Sequence, residues 1–113
     1  MSDLKFCDVG ELNFHSSGPQ WGQESEQLDV TVLSWEQGRG LELQINNELD
    51  VVYVVLQGEG EAVVEDATIA LHPGVVLPIA KGMRRSVTCI SERLTYVSVH
   101  RRRPGLMPRF AAS

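Results

Sequence analysis

Gln44, Asn46, Tyr53 and Arg85 are the side chains of this sequence with chemistry to offer in combination. Two carboxamides two residues apart can donate and accept hydrogen bonds, a phenol can do both, and a guanidinium brings a permanent positive charge. Brought to one place on an apolar background, such groups hold a small polar or anionic molecule. The other reactive side chains are scattered. His15, His72 and His100 fall in an early loop, a turn and a strand end, with no metal-ligand spacing. Cys7 and Cys89 form no close-spaced motif and have no adjacent base to activate them. Two reduced thiols are expected, with a disulfide between them left open.

Whether the four groups meet depends on the elements that carry them, and these read as strands. Short runs rich in Val, Ile, Leu and aromatics recur at Val30–Trp35, Leu41–Ile45, Val51–Leu56, Ala62–Glu65, Thr68–Leu71, Val75–Ile79, Ser86–Ile90 and Leu94–His100. Turn residues punctuate them: Gly38, Asn46-Asn47, Gly58, Glu65-Asp66, Pro73-Gly74, Lys81-Gly82 and Ser91-Glu92. No window keeps a 3.6-residue apolar repeat, so long helices are not expected. Eight short strands in 113 residues predict one all-β domain, a sandwich or a closed barrel, with its core over about 28–100. The polar stretch SSGPQWGQESEQ reads as a loop. Residues 101–113, with Pro104, Gly105 and Pro108, read as a basic tail that cannot continue a strand.

Alternation sharpens the reading. Leu41, Leu43 and Ile45 are assigned to one face of their strand, and Glu42, Gln44 and Asn46 to the other. Val51–Leu56 is apolar on both faces and must be covered twice, by a barrel interior and by a second layer or partner subunit. Tyr96, Ser98 and His100 share a face of the last strand. His100 would be a general base only with a partner that the sequence does not reveal. Trp21 and Trp35 read as core or interface aromatics.

Composition excludes several classes. The net charge of −5 argues against general nucleic-acid binding. Its distribution is uneven: residues 1–80 sum to 2 − 14 = −12 and residues 81–113 to 8 − 1 = +7, as expected if late strands pair with early ones. No apolar run reaches the roughly 20 residues that span a bilayer, and MSDLKFCDVG has neither the basic nor the apolar region of a secretory signal. A cytoplasmic protein is the expectation. The run Arg101–Arg103 is read as solvated or paired with acidic surface rather than as a phosphate or partner site.

From about Gly38 to His100 the chain resembles the cupins, small jelly-roll barrels also described as double-stranded β-helices. DVVYVVLQGEG, LHPGVV and IAKG carry the likeness. The first family motif places two histidines and a glutamate ahead of a glycine. Counted back from Gly58, these positions are Gln44, Asn46 and Val51. The second runs from a glycine, here Gly74, to a histidine, here Arg85.

The resemblance therefore implies a cupin-type barrel with Gln44, Asn46, Tyr53 and Arg85 turned inward and none of the usual metal ligands in place. At roughly 4 Å, Arg85 would repel a dication by several kcal/mol even at an effective dielectric near 20. No metal and no other cofactor is expected. The implied function is metal-independent binding of a small polar or anionic molecule by a homodimer. The alternatives are a small cupin enzyme, isomerase-like or with an atypical metal site, and a protein–protein adaptor using the tail. A plainer possibility is that the inward polar groups satisfy one another, Arg85 being paired with Glu42 or Asp50.

Overall fold

The structure is a computed structural model and describes residues 4–102. A single 3-10 turn, Val9–Glu11, is capped by the Asp8 carboxylate, which accepts from the Gly10 N–H. Nine strands follow: β1 (Gly18–Glu24), β2 (Leu28–Glu36), β3 (Gly40–Ile45), β4 (Val51–Gln57), β5 (Gly60–Val64), β6 (Ala67–Leu71), β7 (Val76–Ile79), β8 (Arg84–Cys89) and β9 (Arg93–Arg101). They form two antiparallel sheets, of order β1-β2-β9-β4-β7 and β3-β8-β5-β6. All eight expected strands are present within two residues of their expected limits.

β1 is the exception, because SSGPQWGQESEQ has the look of a loop. Gly18–Glu24 instead pairs along β2 as the outermost strand, with an irregularity between Pro19 and Trp21. An edge strand tolerates Pro and Gly, since one side of it donates no ladder hydrogen bonds and one face stays wet.

The core lies between the sheets. Leu33, Trp35, Val51, Tyr53, Val55, Leu94 and Tyr96 from the first sheet meet Leu41, Ala62, Leu71, Val87 and Cys89 from the second. β4 is apolar on both faces, but the full cover is on the inner one: Val51, Tyr53 and Val55 are buried, while Val52 and Val54 are half-buried on the outer side and Leu56 is exposed. Trp35 is a core aromatic, its indole N–H donating to the Tyr96 hydroxyl at 3.1 Å. Gly58 is required by geometry. Its φ is +80°, and a Cβ there would sit 1.8 Å from the Arg93 carbonyl oxygen.

The expected alternation fails in β3. Leu41 pairs with Val87 and Gln44 with Arg85, so three steps on β3 match two on β8 across a bulge. The bulge puts Leu41 and Gln44 on the same, inner side. Leu43 and Ile45 are left outside, 64% and 49% exposed.

The charge asymmetry is resolved partly by pairing early with late residues. Arg93 lies 3.9 Å from Glu36, and Arg102 lies 4.0 Å from Glu24. Arg101 belongs to β9 and is exposed. The rest of the expected tail, residues 103–113, lies outside the described residues. Both cysteines are free thiols, Cys89 being buried. Among the described residues no helix is long and apolar enough to cross a membrane.

Candidate functional site

Cross-strand register sorts the inner side chains into rows. On the first sheet, Trp35 stands opposite Leu94 and Leu33 opposite Tyr96, with Val55 beside them. This end of the barrel is apolar. Two residues along, Thr31 stands opposite Ser98 and Tyr53 flanks them; one row further, Asp29 stands opposite His100, flanked by Val51. On the second sheet, Cys89 faces Gly60, then Val87 faces Ala62 and Leu41, then Arg85 faces Val64 and Gln44. The polar end of one sheet meets the polar end of the other, because Arg85 Nε donates to the Tyr53 hydroxyl at 3.3 Å.

Arg85 is the central group. It is 1% exposed, yet its Nη1 has no hydrogen-bond partner among the described residues. It also forms no ion pair there. Neither expected carboxylate pairs with it. Glu42 is exposed on the far side of the bulge. Asp50 is exposed and accepts from the Lys81 backbone N–H at 2.9 Å. The reading in which Arg85 is half of an internal pair with Glu42 or Asp50 is thus corrected: β3 turns Glu42 outward, and the Lys81-Gly82 turn engages Asp50.

Burial of a guanidinium without a counter-charge is costly. Burial pushes the Tyr53 phenol up from its ordinary range, an effect opposed by the charge and hydrogen bond of Arg85. Burial pushes Tyr96 up as well, and its ring centroid lies 4.8 Å from that of Tyr53. Both phenols are therefore neutral donors and acceptors at neutral pH.

The four residues singled out from sequence do not all converge. Arg85 and Tyr53 are in contact, and Gln44 sits half-buried directly across from Arg85. Asn46 is not with them. It lies beyond the end of β3, and its carboxamide oxygen accepts from the backbone N–H groups of Glu48 and Leu49 at 2.9 and 3.1 Å. That is the local bonding that makes Asn a turn residue.

The structure adds groups that the sequence reading passes over. His100 has its partner: Nε2 is 3.9 Å from Asp29 Oδ2, both side chains being buried. The Thr31 hydroxyl lies 3.5 Å from Asp29 Oδ1. Asp29 and Thr31 continue the alternation of Leu33 and Trp35 backwards along β2, and that is the signal the sequence offers. Among the described residues no three His, Cys, Asp or Glu side chains come together as metal ligands. The set at the motif positions does not fit a metal either: two amides, one of them holding a turn, an aliphatic core residue and a guanidinium.

No family model matches the chain, and no curated protein matches it in sequence. Solved structures do match in fold. The TT1209 protein of Thermus thermophilus superposes with a TM-score of 0.76 at 20% identity, over 89% of this chain and 100% of that one. A double-stranded β-helix domain protein of Klebsiella pneumoniae gives 0.75 at 16% identity, over 88% and 90% of the two chains. The cupin domain of Schizosaccharomyces pombe Cnp3 gives 0.70 at 15% identity, over 85% and 72%. The chain has the cupin fold, a double-stranded β-helix barrel, with amide, aliphatic and guanidinium side chains at the motif positions where metal ligands are expected.

Proposed function

We propose that the polar end of this barrel binds a small anionic molecule without a metal, Arg85 supplying the charge and Tyr53 and Gln44 further hydrogen bonds. One observation carries the reading: a fully buried guanidinium whose Nη1 lacks a partner among the described residues. Buried charges are normally paired, and an incoming carboxylate or phosphate would provide the pairing with a charge-assisted bond. The test is a thermal-shift screen of carboxylates and phosphates against the wild type and Arg85→Met. Compounds that stabilise the wild type and leave the variant unmoved support the proposal. A screen in which no anion moves the wild type would count against it.

The same chain is proposed to act as a homodimer. Val30, Val99 and Val52 form one half-buried row on the outer side of the first sheet, and Val97 and Val54 continue it in the next, where Val32 is already covered within the chain. Such a face is suited to a second copy of itself. Sedimentation velocity of Val54→Lys against the wild type checks this, the variant being expected as a monomer.

A further inference from the structure

We propose that the chain fills a groove on its own outer surface: Leu106, Met107 and Phe110 dock along β2, on the outer side of the first sheet, as an intramolecular ligand. The groove borders the dimer face proposed above, and its occupancy depends neither on that face nor on Arg85.

The groove encloses about 340 Å³ between residues 5–9 and the outer side of β1, β2 and β9. Phe6, Trp21, Leu28, Val30, Val32 and Val97 line it, and Lys5 is the only charged residue of the lining among the described residues. A buried occupant must therefore be mostly apolar. Phe6 is 74% exposed and Leu28 49%, so a large aromatic and a leucine at the groove lack cover.

The point where β9 ends selects the occupant. Arg101 pairs with Leu28 at the start of β2. The next residue is tied to the turn before that strand: the Arg102 N–H donates to the Gln27 carbonyl at 2.8 Å, and its guanidinium donates to the Ser25 carbonyl at 3.3 Å. Ser25 and Leu28 both line the groove, so residue 103 follows at its edge. Glu24 lies 4.0 Å from the Arg102 guanidinium, and Glu26 beside it is exposed, which favours a further cation, Arg103, at the same exit.

The sequence that follows fits in kind and in length. Arg103-Pro104-Gly105-Leu106 has Pro and Gly at the two central positions of a reversing turn, which directs the chain back over the sheet it has left. Leu106 to Phe110 is four steps, about 13 Å at roughly 3.3 Å per residue. Leu28 to Val32, the stretch of β2 that lines the groove, is four steps as well. Leu106, Met107 and Phe110 are the large apolar residues beyond Arg102. Docking them removes apolar surface of the segment and of the groove from water together.

Acrylamide quenching of Trp21 and iodoacetamide alkylation of Cys7, which also lines the groove, read the cover in the full chain. Wild type is compared with a full-length variant carrying Leu106→Ser, Met107→Ser and Phe110→Ser. Trp21→Phe separates the Trp21 signal from that of buried Trp35. The three substitutions should raise both the quenching constant and the alkylation rate by about twofold or more. A fluorescein-labelled peptide of residues 103–110 should bind the variant and be excluded from the wild type. Protection in the wild type should hold across a roughly hundredfold dilution, because the occupant is tethered. Protection lost on dilution would mean that a second copy covers the groove, and would overturn the proposal. Equal quenching and alkylation in wild type and variant would overturn it too.

Discussion

Replacing Arg85 by methionine separates a binding charge from a structural one. The guanidinium is 1% exposed, and among the described residues it makes one side-chain hydrogen bond, from Nε to the Tyr53 hydroxyl, while Nη1 has no partner there. Methionine fills much of the same length with no charge and no donors. The substitution gives up one hydrogen bond involving a charged group, about 1.5–3 kcal/mol, and relieves an unsatisfied buried donor, about 1–3 kcal/mol or more. The two effects offset, and the expected change in unfolding free energy lies within about 2 kcal/mol of zero. In a chain of this size that is a shift of at most about 12 °C in Tm, in either direction. Urea denaturation followed by circular dichroism measures it directly. A loss of about 3–5 kcal/mol is the signature of a buried pair broken on one side, and it would refute the reasoning. Ligand linkage gives the second arm: an anion at a hundred times its Kd should add about 2.7 kcal/mol to the wild type and nothing to the variant.

Other expectations follow from the same geometry. Asn46→Ala should cost about 1 kcal/mol or slightly more in denaturant titration, since two turn N–H groups lose their acceptor. Stability should be insensitive to Tyr53 and Tyr96 up to about pH 10, then fall as pH rises further. Both phenols are held above their ordinary range, so the unfolded chain releases those protons first; a pH series of urea midpoints with Tyr96→Phe, which should flatten the fall, checks this. Native alkylation with iodoacetamide at pH 8 should label Cys7, which is partly exposed, and spare Cys89, which is buried; burial pushes both thiols up, so access decides between them. Peptide mass spectrometry reads the two sites separately.

The strands are legible because alternating apolar residues bounded by Gly, Pro and Asn leave little else for Val30–Trp35 or Leu94–His100 to be. β1 is not, because an edge strand needs neither an apolar run nor freedom from proline, and GPQWGQE has the composition of a loop. Arg85 and Tyr53 can be placed inside from the spacing to Gly58 and Gly74. Asn46 is misplaced by the same count, since motif spacing ignores the local bonds a carboxamide makes with its own backbone. The Asp29–His100 contact is out of reach for a different reason. Tyr96, Ser98 and His100 can be put on one face of β9, but the residue opposite His100 is set by a pairing with β2, far back along the chain. No local pattern encodes that register.

The bulge in β3 also means that the chain carries one residue of slack. Between the anchors Leu41–Val87 and Gln44–Arg85, β3 spends two residues where β8 spends one. Losing a residue from a strand ordinarily turns every later side chain inside out. Here the loss of Leu43 would draw the strand taut, with Leu41 still against Val87, Gln44 still across from Arg85, and Glu42 between them pointing to solvent. A scan of single-residue deletions along residues 40–45 should therefore find a folded protein at 42 or 43 and not at 41 or 44. Variation in the length of this strand is open to the chain at that one step without cost to the site it flanks.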